Sequence, residues 1–333
     1  MDEKPVYKKG EYIMQKNVKR WLMIAASLVV IGCLVFGVVM TILKWDFTKL
    51  STVKYETNTY ELRETFSSIS IVADTADIVF AVSDDGAFRV VCHESENAKH
   101  TVCVKEDMLI IELADARKWY EYIGIIFGKP KITVYIPHGN YSTLSINTHT
   151  GDVEIPKDFS FESIRISVTT GHITNAASAS GLIQLKASTG DIFVQNISAG
   201  ALDLSVSTGK VTVTGANCEG DVKIDVSTGK VSMTDIRCKN LISDGDTGDI
   251  SLRNVIANEA FSIETDTGDI KLDSCDATEI SIETDTGDVT GSLLSSKVFI
   301  AQTDTGNVHV PKTVTGGKCE ITTDTGDIKI TLN

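Results

Sequence analysis

The sequence predicts an all-β fold, a parallel β-solenoid of 19–20-residue coils, preceded by one transmembrane α-helix. Three observations carry this. A Thr-Gly pair recurs ten times at a nearly fixed interval, the residues around it repeat in columns, and an uncharged run of membrane-crossing length stands near the N-terminus.

The helix comes first in the chain. The run from Leu22 to Leu43 is 22 residues without a charge, bounded by Arg20 and Lys44. At about 1.5 Å per residue it reaches about 33 Å, enough for a hydrocarbon core of about 30 Å. It is longer than the apolar region of a cleaved signal peptide, so it reads as an uncleaved signal anchor. Lys4, Lys8, Lys9, Lys16, Lys19 and Arg20 precede it, against Lys44, Lys49 and Lys54 just after. That excess assigns the N-terminus to the cytoplasm and the C-terminal domain to the exterior. Of the chain's 31 basic and 45 acidic residues, 24 and 42 lie beyond residue 44, a balance of −18. Such a surface excludes nucleic acid as a partner.

The expected organisation is a cytoplasmic tail over 1–20, the anchor over 21–44, a tether over 45–66, irregular or capping β coils over 67–140, and regular repeats over 141–333. In the regular part the repeat glycines are Gly151, Gly171, Gly190, Gly209, Gly229, Gly248, Gly268, Gly287, Gly306 and Gly326. Counting from each, −1 is always Thr and +2 is always Val or Ile, while −7 and −5 are mostly aliphatic. Apolar residues at −7, −5 and −3 have the period of a strand with one buried face. Beyond the glycine the apolar set shifts to +2 and +4. A strand changes phase only at a bend, so Thr-Gly-Asp is a corner, with glycine supplying a positive φ. By its parity the −1 threonine points inward, with its hydroxyl bonding backbone in the corner. A second turn follows +5. Coils stacked about 4.8 Å apart form parallel sheets, and ten of them extend about 48 Å.

Upstream, Ile69, Ile71, Ala73, Thr75, Ile78 and Phe80 fill the same columns, with Ala76 in place of glycine. The patterns at 89–92, 101–105, 108–113 and 131–136 read as irregular first coils. Residues 117–129 crowd Trp119, Tyr120 and Phe127 outside the repeat. They form either a cap over the open core or a partner-binding or membrane-touching loop.

The columns beside the corner vary. Position −2 changes from His149, Thr169, Ser188, Ser207 and Ser227 to Asp246, Asp266, Asp285, Asp304 and Asp324. Position +1 ends in Asp249, Asp269, Asp288, Asn307 and Asp327, and holds Lys210 and Lys230 midway. The nine acids make a candidate calcium edge, since hard cations take carboxylate oxygens. In the other reading each Asp bonds backbone amides of its corner and salt screens the rest. No cofactor is otherwise expected. His149, Asp152 and His172 lie on neighbouring coils but lack a fourth ligand, so they read as solvated side chains. Cys218 and Cys238 share position +9, with Cα atoms about 5 Å apart, inside the disulfide range. Parallel Cβ vectors oppose that bond, and the state of Cys92 and Cys103 is open. Cys275 and Cys319 read as buried thiols. No nucleophile elbow or phosphate loop is present, so the chain reads as no enzyme.

The stretch "KITVYIPHGNYSTLSINTHTGDVEI", the repeated "TDTGDI" and the single helix ahead of them resemble the bacterial "putative adhesin" β-strand-repeat family, domain of unknown function 4097, across residues 65–333. The resemblance implies a β-solenoid at the surface of a bacterium and supplies no catalytic residues. The function expected first is a membrane-anchored extracellular binding or adhesion module of the cell envelope, whose partner is a cell-wall or host glycan or a surface protein. The second is an accessory or sensor of an envelope-stress response, acting through a membrane partner. A polysaccharide-acting solenoid enzyme comes last, because the acidic column lacks interleaved arginine.

Overall fold

The computed structural model describes residues 8–46, 54–115 and 128–333. Trp119, Tyr120 and Phe127 lie outside these residues. The helix and the β solenoid are separate compact units.

Helix α1 spans Lys8–Ile42. Its stretch Val18–Ile42, with a mean hydropathy of 2.8, is long and apolar enough to cross a membrane. Ser27 and Thr41 donate their hydroxyls to the carbonyls of Met23 and Gly37, each at 2.8 Å, so neither polar group is left bare on the helix surface. Leu22 lies within the helix. Leu43 sits just past its end, where Lys44 and Trp45 turn to φ 55° and 58°.

The β unit is a parallel solenoid in which the predicted columns are kept. Ile164 pairs with Leu144 below and Ile183 above, and Thr170 with Thr150 and Thr189. Positions −7, −5 and +2 are buried from Leu144, Ile146 and Val153 through Leu241, Ser243 and Ile250 to Ile280, Ile282 and Val289. The repeat glycines have φ between +137° and +158°. A second corner falls at +6, where Asn196, Gly215, Asp235, Asn254 and Ser274 adopt φ between 49° and 67°. All but Ser274 are residue types that tolerate the left-handed region. Positions +7 and +9 return to the core, as Ile197 and Ala199 or Ile236 and Cys238 do.

The −1 threonine departs from the expected parity. Thr150, Thr170, Thr189 and Thr208 are exposed. The bend begins one residue before the glycine and turns them out. The threonines that face inward are at −3, where Thr303 and Thr323 donate to the carbonyls of Gly326 and Gly287 at 2.9 and 3.1 Å. They satisfy corner carbonyls that would otherwise lie bare under the distal coils.

The coils are not stacked in chain order at either end. Strand β1 spans Tyr55–Leu62, β2 Ser68–Thr75, β3 Asp77–Val82, β4 Phe88–Ser95, β5 Ala98–Lys105, β6 Met108–Asp115 and β7 Lys131–Ile136. Ile69 of β2 pairs with Leu144 of the first regular coil on one side and Leu109 of β6 on the other. Strand β3 likewise lies between β7 and Val153–Ile155. The first coil in sequence is therefore second in the stack. At the distal end Ile280 pairs with Cys319, and Cys319 with Phe299. The coil of Gly326 is inserted between those of Gly287 and Gly306.

Strands β4 and β5 are not coils as the pattern suggested. They run antiparallel to β7 and β6, and β1 adds antiparallel to β4, so part of the stretch read as a tether is a strand of the cap. Phe66, Phe88 and Tyr141 fill this end, with the Phe66 and Phe88 ring centroids 4.6 Å apart.

All seven cysteines are free, and Cys218, Cys238, Cys275 and Cys319 are buried. Burial pushes the Cys218 thiol up to about 11 and those of Cys238 and Cys319 to about 12. The thiolate is the nucleophile, so these three resist iodoacetamide at pH 8 until the chain unfolds, a result read by mass spectrometry. In the unfolded chain they ionise from about 8.5, so it binds fewer protons than the folded one above that value. Stability is full below it and falls as pH rises toward 11–12, by up to about 1.4 kcal/mol per pH unit for each thiol. Melting scans between pH 7 and 10 read this loss.

Candidate functional site

The acidic edge flanks the glycine column. Asp246, Asp266, Asp285, Asp304 and Asp324 at −2 are exposed, as are Asp249, Asp269, Asp288 and Asp327 at +1. The two columns differ in what their carboxylates do. At +1, Oδ1 of one coil accepts the backbone N–H of the +1 residue in the next. His172 donates to Asp152 at 2.7 Å, Lys210 to Asp191 at 2.8 Å, Asp288 to Asp269 at 2.9 Å, Asp327 to Asp288 at 2.7 Å and Asn307 to Asp327 at 2.8 Å. These charge-assisted bonds form a one-way ladder along the corner, from coil to coil rather than within one corner. The order of the last three rungs repeats the permuted order of the coils.

His172 occupies a rung of the same ladder. Its Nδ1 accepts the N–H of Asp191 at 3.0 Å, so its proton is on Nε2. His149 is aimed elsewhere, with Nδ1 3.9 Å from Asp74. The ladder breaks after Lys210, because lysine has no acceptor. It resumes at Asp249, which Lys230 Nζ reaches at 3.4 Å. Lysines at the corner thus interrupt the ladder, with four rungs on the proximal side and four on the distal side.

The −2 carboxylates take no part in this ladder. A matched pair of substitutions separates the columns. Asp288→Ala removes an acceptor from an N–H at 2.7 Å and is expected to cost about 1–2 kcal/mol. Asp285→Ala, on an exposed side chain of the same coil, is expected to stay within about 0.5 kcal/mol of zero. Urea denaturation of the two variants reads the difference.

Among the described residues, three metal-ligating side chains with donor atoms mutually within 4.8 Å occur away from this edge, at Cys92, Glu94 and His100. Sequence reading missed this trio because it lies outside the repeat. The available signal was the alternation of Val90, Cys92 and Glu94 on one strand face, which puts a carboxylate in an otherwise inward row.

The sequence profile described as Toastrack DUF4097 matches residues 66–225 and 219–333. No curated protein matches the chain. Among solved structures, it is similar to a "putative adhesin" from Parabacteroides distasonis, with 12% identity, 84% of this chain and 98% of that one covered, and a TM-score of 0.46. It is similar to a "putative adhesin" from Bacteroides fragilis, with 17% identity, 84% and 97% covered, and a TM-score of 0.38. A "putative lipid binding protein" from Parabacteroides distasonis is similar at 14% identity, 83% and 97% covered, and a TM-score of 0.46.

Proposed function

The chain belongs to the Toastrack DUF4097 family, and from that premise we propose that it is a non-catalytic, membrane-anchored binding module that presents its solenoid outside a bacterial cell. The observation that supports this is the division of labour along the corner. The +1 carboxylates are spent on the fold, whereas the five −2 carboxylates are exposed and regularly spaced on a rigid sheet. A row of like charges that the fold does not use is suited to a ligand. Its chemistry selects a cationic surface, or an anionic glycan or wall polymer bridged by a divalent cation such as calcium.

The test uses the full chain in detergent micelles, applied to intact cells and to purified wall polysaccharide with calcium or with a chelator. A variant carrying Asp246→Asn, Asp266→Asn, Asp285→Asn, Asp304→Asn and Asp324→Asn is expected to bind at least about tenfold more weakly, with an unchanged circular dichroism spectrum. Unchanged binding by that folded variant overturns the assignment to this edge. Full binding with the chelator present removes calcium from it.

A further inference from the structure

The Cys92, Glu94 and His100 cluster has no counterpart in the repeat. Cys92 and Glu94 are two residues apart on the inward face of β4, and His100 faces them from β5. All three are buried, at 0%, 1% and 5% exposure. Burying an acid and an imidazole beside a thiol is costly where an aliphatic residue would pack, as Val90, Leu109 and Ile111 do nearby.

The hydrogen bonds around the cluster are oriented. Glu94 Oε2 accepts both the backbone N–H of His100 and its Nδ1, each at 2.7 Å, while Oε1 accepts from Asn58 Nδ2 at 2.8 Å. An ionised carboxylate only accepts, so the imidazole proton is on Nδ1. In the neutral ring, Nε2 is then left with a lone pair, and that atom is buried without a partner. An ion on Nε2 would lie across the ring from this carboxylate, so an ion held by all three residues takes the place of the proton between Nδ1 and Oε2, and the ring then carries its proton on Nε2. The thiol, imidazole and carboxylate atoms lie within 4.8 Å of one another. Ligands on a tetrahedral zinc ion stand about 3.3–3.8 Å apart, given metal–ligand bonds of about 2.0–2.3 Å, so closure needs shifts of about 1 Å.

We propose that Cys92, Glu94 and His100 form a site for one divalent cation of zinc's class. The donor set excludes calcium and magnesium, which take oxygen, and suits a borderline ion with one position left for water. The site has a structural task. Strand β4 continues the sheet of β7 and β1, and β5 that of β6, while β4 and β5 pair with each other only at Ser95 and Ala98. An ion held from both strands staples the two sheets together across the proximal end of the stack.

The test is cobalt substitution in the full chain in detergent, loaded both by titration of chelator-treated protein and by growth in cobalt-supplemented medium, because the site is buried. One equivalent of Co2+ with a thiolate charge-transfer band, displaced by Zn2+, is expected. Cys92→Ser and His100→Ala should lose the band, and Cys103→Ser and Cys238→Ser should keep it. Glu94→Gln, close to the native shape but without the ligating charge, should bind Co2+ at least about tenfold more weakly. Zn2+ should raise the melting temperature of the native chain and not of Cys92→Ser, and Ca2+ should leave both unmoved. Absence of the band in folded protein after both loading routes, or a band that survives in the folded Cys92→Ser and His100→Ala variants, overturns the proposal. Should those two variants fail to fold, unchanged Co2+ affinity in Glu94→Gln overturns it.

Discussion

Gly248→Ala is expected to remove about 4 kcal/mol or more, and to unfold the coils around it before the rest of the solenoid. A Cβ at position 248 would stand 1.6 Å from the carbonyl oxygen of Gly229, on a backbone with φ +146°. Two costs are combined, and a second glycine separates them. Gly86 also has a positive φ, +72°, but a Cβ there meets nothing within 4 Å. Gly86→Ala therefore reports the conformational cost alone, about 1–2 kcal/mol. The remainder at 248 combines its more extreme φ with the clash against a carbonyl that is held by its own sheet. Because each coil contacts only its neighbours, the damage is local, and hydrogen exchange should show it centred on the coils of Gly229 and Gly248. Equal losses at 86 and 248 would show that coils shift apart freely, contrary to the close approach of their corners.

Deleting residues 311–333 is expected to melt two coils rather than one. The strand Lys297–Thr305 is paired in the structure with Gly317–Thr325, and that coil separates it from Glu279–Thr286. Without the inserted coil, residues 297–309 have no sheet to join unless they move down into its place. Position −9 prevents this move. The inserted coil has Gly317 there, and a Cβ on Gly317 would stand 1.7 Å from the carbonyl oxygen of Thr278. The coil of Gly306 has Lys297 at the same position. Lys297 instead pairs with Asp276 at 2.7 Å from the outer layer, with its side chain 4% exposed. Hydrogen exchange of the truncated chain should show the amides of 297–309 unprotected. Full protection there would mean that the outer coil docks directly on that of Gly287.

The columns were legible because a corner that packs against its own copy admits few residues. Gly at 0 and an aliphatic at +2 follow from the close approach of Gly171 to Gly151 and from the burial of Val153 and Ile173. The order of coils was not legible. Residues 299–308 and 319–328 both fill the columns well enough to sit at either level, and the discriminating signal is confined to Gly316 and Gly317, which look like an ordinary turn. The role of the +1 acids was half legible. Their backbone bonding was one of two readings open, but the partner amide belongs to the next coil, and local sequence holds no information about that. Cys92, Glu94 and His100 were invisible for a related reason. They meet through an antiparallel hairpin whose register the repeat does not set.

The interleaving of the end coils has a mechanical consequence. In a solenoid stacked in chain order, a pull on either terminus peels the last coil from one neighbour, rung after rung, like a zipper. Here the coil of β2 and β3 is held from both sides, and so is the coil of Gly326. Once β1 has been stripped away, a load entering from the N-terminal side must draw a layer out from between two others and break two ladders together. The same holds for a load at the C-terminus. The stack is thus clasped at both ends, and tension along the chain is resisted where an ordinary repeat protein is weakest.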